Sequence, residues 1–333
     1  MKVVLGFSGG VDSSVSAMLL KAEGYEVFGL YLDIGAESAR ADAQAAAECL
    51  GVPLTVLDIS AALEKNVCIP FVEGYLRGET PNPCILCNPK VKFSALTAVA
   101  DGLGAEHIAT GHYARAEDGA LYCGMPANDQ SYMLCRLTRN QLARLVLPLG
   151  SMEKRETREL AREFGLPVAN KPDSMEICFI PDGDYSAWIS RRAVLPGPGR
   201  FLRDGTEVGK HAGIHQWTVG QRIPGVFDDG QTKLYVSAID PASGDISVCP
   251  NEGLLRTEFS AREFNWLVDV PQAPVRGSVR VRHTRNGGQT CTAEARPDGS
   301  VRFLCETPVR APAPGQSAVL YDGDRVLGGG FIV

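Results

Sequence analysis

Six residues near the start of the chain, Ser8-Gly9-Gly10-Val11-Asp12-Ser13, combine two glycines, an acid and two hydroxyls. An apolar run, Val3-Val4-Leu5-Gly6-Phe7, precedes them, and an amphipathic run from Val15 to Leu20 follows. That order reads as buried strand, tight loop and helix. Glycines let a backbone turn sharply and leave room for a ligand. The next helix offers free N–H groups and the positive end of its dipole to an anion. Ser8, Ser13 and Ser14 add hydroxyl donors. The chemistry suggested is phosphate binding; the structural alternative is a Ser/Gly turn that caps a helix. No Gly-Lys-Ser/Thr follows, and Gly-x-Gly-x-x-Gly is absent, so neither the Walker loop nor the dinucleotide fingerprint applies.

Two further stretches carry nucleophiles. Thr80-Pro81-Asn82-Pro83-Cys84-Ile85-Leu86-Cys87-Asn88 reads as a rigid loop with a Cys-x-x-Cys pair. Such a pair serves half a zinc site, part of an iron–sulfur site or a redox couple. Lys90 and Lys92 nearby would stabilise a thiolate. In Lys171-Pro172-Asp173-Ser174-Met175-Glu176-Ile177-Cys178-Phe179-Ile180 a lone cysteine follows two acids in a strand-like run. Taken singly, Cys178 reads as a buried structural thiol.

The elements around these stretches alternate. Strands are expected at 27–32, 54–59 and 107–110, and helices at 39–50, 61–75 (with a break at Pro70) and 91–103. This pattern implies an α/β fold, a doubly wound, mostly parallel sheet whose ligands sit at the carboxyl ends of strands. Ser8–Ser13 and Gly111-His112-Tyr113 both fall there. His112 reads as a base or as a structural histidine. The stretch 128–165 looks largely helical. Arg192 to Gly199, with two prolines and two glycines, reads as a linker. Beyond it, short alternating segments at 233–239, 245–249, 278–282, 290–295, 301–304 and 318–321 are separated by turns, which implies a small β-barrel or sandwich. The divisions expected are a catalytic domain at 1–190, a small central domain at 195–247 and a β-barrel at 248–333.

The 333 residues suffice for two or three cores. No apolar run reaches membrane-spanning length, and the chain starts directly on a core strand, so a cytoplasmic protein without a membrane partner is expected. The ten cysteines should then be mostly reduced. Cys49, Cys68, Cys123, Cys135, Cys249, Cys291 and Cys305 read as small buried hydrophobes. The net charge of −6 argues against a uniformly basic coat. Yet Arg276, Arg280, Arg282, Arg285, Arg296, Arg302 and Arg310 face only Glu294, Asp298 and Glu306 across that segment, a candidate nucleic-acid footprint.

The motifs in sequence order resemble a known family. SGGVDS resembles the PP-loop of ATP pyrophosphatases. Followed by TPNPxxxCN, ATGHYAR, a DQSYML block and DSxxICFI, it resembles the tRNA-specific 2-thiouridylases, and GKHAGIHQWTVGQR and PGQSAVLYDGDRVLGGGFI extend the likeness nearly end to end. The resemblance implies a transferase that uses ATP with Mg²⁺ to adenylate O2 of the wobble uridine in a tRNA anticodon stem-loop. Sulfur then replaces that oxygen and AMP leaves. It implies Cys87 as nucleophile and Cys178 as persulfide carrier, the two able to close a disulfide on transfer. ATP would be held by Gly6, Phe7, Ser8, Gly9, Gly10, Val11, Asp12, Ser13, Leu32 and Gly111, with Asp12 toward Mg²⁺. The tRNA would be met by Asn82, Pro83, Cys84, Asn128, Asp129, Gln130, Arg282 and His283. A sulfur-donor protein, a persulfide relay or a cysteine desulfurase, is an implied partner. Many family members carry Asp where this chain has Cys84. Cys84, Cys87 and Cys178 together would also suit an iron–sulfur cluster carrying the sulfide. The family's lysine before Asp129-Gln130 is Asn128 here, and the segment after Leu32 is shorter. Other classes compatible with the opening loop or the cysteine pair are a PP-loop amide-forming synthetase and a non-catalytic, metal-stapled RNA-binding protein.

Overall fold

The computed structural model describes residues 1–166, 168–169, 177–283 and 287–333, with side chains for all of these except Phe227. Lys171 to Glu176 and Arg285 from the stretches above lie outside the described residues. The chain divides into two compact units. One comprises Met1–Val67, Cys84–Met175 and Asp324–Leu327; the other comprises Cys68–Pro83, Glu176–Gly323 and Gly328–Val333.

The first unit contains β1 (Lys2–Gly6), β2 (Glu26–Asp33), β3 (Leu54–Asp58), β4 (His107–Ala109), β5 (Ala114–Glu117), β6 (Ala120–Cys123) and β7 (Leu145–Val146). Five of them form a wholly parallel sheet in the order β3-β2-β1-β4-β7. Val3, Val4 and Leu5 of the central strand are fully buried, as expected of a strand covered on both faces. Val11, Val15 and Leu20 of the helix Val11–Ala22 pack with Ala46 and Ala47 of the helix Glu37–Leu50 and with Ala161 of the helix Lys154–Glu163. Each such buried branched side chain contributes about 1.5–3 kcal/mol. β5 and β6 form a hairpin, and Tyr122 of β6 pairs with Arg325.

Several expected elements differ. The 61–75 helix is two helices, Ser60–Leu63 and Ile69–Leu76, joined by a π-helical turn at Glu64–Cys68. The helical run is continuous, and Pro70, which has no N–H to give, falls directly after the π-helical turn, where the i→i−4 ladder is already interrupted. The stretch 128–165 is mostly irregular, with short helices at Ser131–Leu134 and Arg139–Ala143 before Lys154–Glu163. Local side-chain bonds and one tertiary pairing override its helical periodicity. Asp129 Oδ1 accepts from the Gly124 and Ser131 amides, both at 3.0 Å, and Gln130 exchanges bonds with the Tyr113 backbone.

The second unit holds two β structures, except that the first residues of their last strand, Arg325 to Leu327, belong to the first unit. β8 (Gly199–Arg203), β9 (Thr206–His211), β10 (Arg222–Asp228), β11 (Thr232–Ile239) and β12 (Ile246–Cys249) form a sheet in the order β10-β11-β12-β8-β9. Phe201, Leu234, Val236, Ile246 and Val248 fill its core. β13 (Leu255–Trp266), β14 (Val275–Arg280), β15 (Gln289–Ala295), β16 (Val301–Arg310), β17 (Ser317–Asp322) and β18 (Arg325–Ile332) run in the order β13-β16-β15-β14-β17-β18. Pairs such as Ala261↔Ile332 join the first strand to the last, so this is a closed barrel. No helix among the described residues is long and apolar enough to cross a membrane.

Candidate functional site

The expected phosphate-binding residues converge at the carboxyl ends of β1 and β4. Gly9 has φ +69°, and a Cβ there would lie 2.5 Å from Ala43 Cα, so the turn admits only glycine. Gly10 is the extended N-cap of the helix Val11–Ala22, whose first turn includes Asp12. Ser14 N bonds back to Gly10 O at 3.1 Å. Helix geometry therefore turns the amides of Val11, Asp12 and Ser13 toward the mouth of the loop. Ser8 Oγ and Ser13 Oγ are 3.3 Å apart, and Ser13 Oγ donates to Gly10 O at 3.1 Å. Ser14 Oγ is buried with no hydrogen-bond partner among the described residues. Phe7 is buried beneath the loop, Gly6 ends β1, and half-buried Leu32 lies near the end of neighbouring β2. Gly111 follows β4 so closely that a Cβ there would stand 3.0 Å from the Asp12 carbonyl carbon.

A network braces Asp12. The Tyr113 hydroxyl donates to Asp12 Oδ1 at 2.7 Å and lies 3.0 Å from Thr157 Oγ1. Lys154 Nζ stands 3.6 Å from Asp12 Oδ2. One fixed carboxylate suits a magnesium ion that arrives already bound to phosphates, the usual way Mg²⁺ is held in nucleotide sites. Tyr113 belonged to a recognised motif without a role, and Lys154 and Thr157 carried no sequence signal. His112 Nδ1 shares a hydrogen bond with Thr110 Oγ1 at 2.7 Å, and its ring stacks on Phe93. Burial, assisted by the Lys92 ammonium, holds the His112 pKa well below the ordinary histidine value, so the imidazole is neutral.

Cys84 and Cys87 lie on a short helix, Pro83–Cys87, rather than in the expected loop. A spacing of three puts both thiols on one side of that helix. Cys84 is exposed and Cys87 half-buried. A π-helical turn, Asn88–Lys92, follows, anchored by buried Asn88, which donates to Met133 O at 2.8 Å. The residues before this helix are held within the second unit. Thr80 Oγ1 bonds Thr218 Oγ1 at 3.0 Å, the Thr80 amide donates to Pro314 O at 2.8 Å, and Gln316 donates to Thr80 O at 2.7 Å. Arg262 pairs with Glu79 at 3.1 Å. These bonds fix the stretch that leads into Asn82 and Pro83.

Cys178 lies in the second unit, on an exposed turn instead of in a buried strand. The Ile180 amide closes that turn onto Ile177 O at 2.8 Å. The apolar neighbours face inward: Ile180 is fully buried, and Phe179 packs against Phe71 and Trp188. The turn therefore exposes a single thiol on an anchored base. Elsewhere, burial pushes Cys135 and Cys291 up to about 12 and Cys305 to about 11, which suits inert core residues. Cys49 departs from the expected pattern, because it lies on the exposed face of the helix Glu37–Leu50.

The residues expected at tRNA are divided between the two units. Asn128, Asp129 and Gln130 belong to the first unit; Asn82, Pro83, Arg282 and His283 belong to the second. Asp129 is buried, and Asn128 donates to Met152 O at 3.2 Å. Arg282 and His283 are exposed at the end of β14, and Arg282 donates to Arg310 O at 2.8 Å. The arginine excess is smaller than the linear count suggests. Arg276 pairs with Glu306, and Arg302 pairs with Glu258 and Glu294.

Three family profiles match in succession. They are described as the tRNA methyl transferase HUP domain over residues 1–182, the tRNA methyl transferase PRC-barrel domain over 191–250 and the aminomethyltransferase beta-barrel domain over 256–332. Curated relatives named tRNA-specific 2-thiouridylase MnmA align nearly end to end. That of Syntrophotalea carbinolica is 42% identical over 99% of this chain and 98% of its own length. That of Methylobacterium sp. is 44% identical over 99% of this chain and 94% of its own length. That of Magnetococcus marinus is 40% identical over 100% of this chain and 99% of its own length. With a parallel sheet, a glycine-built loop after its central strand and two β structures in the matching order, the chain belongs to the MnmA family of tRNA-specific 2-thiouridylases.

Proposed function

We propose that this chain catalyses the ATP-dependent 2-thiolation of the wobble uridine of tRNA. The observation that carries the reading is the joining of a braced phosphate loop, Gly9 to Asp12 with Tyr113, to a chain that also presents Cys87 and Cys178. A urea-like carbonyl at C2 is a poor electrophile, so the reaction must first activate its oxygen. Uridine O2 attacks the α-phosphorus of ATP, the bond to the bridging oxygen breaks, pyrophosphate leaves, and N3 of the uridine releases its proton to water, to be regained once sulfur stands on C2. The loop amides and Ser13 hold the phosphates in place, and Asp12 orients the accompanying Mg²⁺.

Sulfur follows. The terminal sulfur of a Cys178 persulfide attacks C2, and AMP departs with the original oxygen. The Cys87 thiolate then attacks Cys178 Sγ. The sulfur–sulfur bond breaks, its electron pair passes to the sulfur on C2, and a Cys87–Cys178 disulfide forms. Two equivalents of a small thiol reduce that disulfide, and the Cys178 thiolate then takes the terminal sulfur of a donor protein's persulfide, leaving the donor as a thiolate. The anchored exposure of Cys178 supports its role as the group a donor protein can reach. In the same reading residues 1–190 are the catalytic domain, 195–247 the central domain and 248–333 the tRNA-binding barrel. Asn82, Pro83 and Cys84 flank the target base, and Asn128, Asp129, Gln130, Arg282 and His283 meet the RNA. A loop target makes it inexpensive to take the base out of its stack.

The test is anaerobic purification with iron and sulfide analysis, followed by single-turnover thiolation of a tRNA transcript. Thiolation by metal-free, persulfide-loaded protein supports the reading. Activity that tracks iron content would instead assign the sulfide to a cluster on Cys84, Cys87 and Cys178.

A further inference from the structure

Lys154 opens the helix Lys154–Glu163. A cation there opposes the helix dipole, which favours acids in the first turn. Glu153 and Glu156 already satisfy that terminus through a reciprocal capping box, the Glu153 amide donating to Glu156 Oε2 at 2.6 Å. Helix stability therefore does not account for a lysine at this position.

Its ammonium reaches across to the phosphate loop. Nζ stands 3.6 Å from Asp12 Oδ2 and 5.7 Å from the centroid of the Tyr113 ring. The two side chains keep 32% and 31% of their exposure, so a ligand can reach both. Asp12 is the fixed member of the pair, because Tyr113 holds its other oxygen at 2.7 Å. Lysine is the adaptable member, a point charge on a flexible four-carbon stem.

The loop has a deficit that this lysine fits. From Gly6 to Ser16 the chain contains no lysine or arginine, and its one charged residue is an acid. Amides and hydroxyls can hold a phosphate, but a departing pyrophosphate gains negative charge that a cation stabilises better.

We propose that Lys154 is the cation for the β- and γ-phosphates of ATP. When the nucleotide binds, the ammonium leaves Asp12 Oδ2 and takes phosphate oxygens, freeing that carboxylate oxygen to face the incoming ligand. As the bond between the α-phosphorus and the bridging oxygen breaks, the electron pair remains on pyrophosphate and Lys154 balances it. No proton moves. This assignment rests on the ATP-site reading of Ser8 to Ser13.

Isothermal titration of the full chain with three probes in the presence of Mg²⁺ tests it: α,β-methylene-ATP, inorganic pyrophosphate and AMP. Lys154→Ala should weaken the first two at least ten-fold and AMP less than two-fold, with an unchanged melting temperature. Lys154→Arg should restore most of the loss. Equal weakening for all three probes, or unchanged binding of all three, overturns the role of Lys154 while leaving the ATP site standing. A wild-type chain that binds none of the three overturns the ATP-site reading and this assignment with it.

Discussion

The Tyr113 hydroxyl donates to Asp12 Oδ1 at 2.7 Å, although 101 residues separate the two in sequence. That bond makes the turn after β1 and the segment after β4 one site. Tyr113 is fully buried, so its ring is fixed by the core and its hydroxyl has a fixed place to offer. Tyr113→Phe keeps the ring and removes the donor. We expect a loss of about 1–2 kcal/mol in stability and roughly ten-fold slower AMP formation, since Asp12 loses its brace. Urea titration and a tRNA-dependent AMP assay measure the two effects separately.

Gly9 tolerates no side chain, because its φ is +69° and Ala43 backbone occupies the space a Cβ would need. Gly9→Ala must shift either the loop or the helix Glu37–Leu50. It should cost about 1–3 kcal/mol and abolish measurable ATP binding. A variant that melts normally and binds ATP normally would show that the loop is not the nucleotide site.

The second unit should weaken in acid. His211 and His215 are buried, and that burial depresses both pKa values below the ordinary 6.5. The Gly244 carbonyl only partly offsets the effect at His211, and His215 Nδ1 has no hydrogen-bond partner among the described residues. The unfolded chain then takes up protons first as pH falls. Stability is therefore full above about pH 6.5 and declines below it, toward the depressed folded-state values. Unfolding midpoints at pH 7.5, 6.5 and 5.5 should fall in that order. Replacing both histidines by glutamine should flatten the decline even if the midpoint at pH 7.5 is lower.

Arg282 is exposed yet tethered to the Arg310 carbonyl. A cation held in place by backbone is well suited to meet a phosphate. Arg282→Ala should weaken tRNA binding by roughly three- to ten-fold and reduce the slope of log K against log salt by about 1. ATP affinity should not change. Filter binding across a salt series reads both quantities.

Much of this site was legible because its chemistry is local. Ser8 to Ser13 lie next to one another, and the strand before them and the helix after them have distinct patterns. The later strands were legible by alternation, as in β11 and β15. β13 was not, because its register shifts between Arg256 and Glu258 and between Arg262 and Asn265, and Glu263 has φ +51°, so no simple alternation runs through it. The residues 128–150 misled because buried Asp129 bonds back to the nearby Gly124 amide and Gln130 to the Tyr113 backbone, which holds the stretch out of a helix. Cys178 misled because Ile177, Phe179 and Ile180 supply the apolar run of a strand but are used as the anchor of a turn. Lys154 approaches Asp12 only once the sheet has formed, and nothing in the linear order marks that meeting.

The most direct test is a single-turnover reaction of persulfide-loaded protein with ATP and a tRNA transcript, read by nucleoside mass spectrometry and nucleotide chromatography. Wild type should yield one 2-thiouridine and one AMP per turnover. Cys87→Ser and Cys178→Ser should each form no 2-thiouridine while still binding tRNA. Full thiolation by either variant, or release of ADP in place of AMP, would contradict the account.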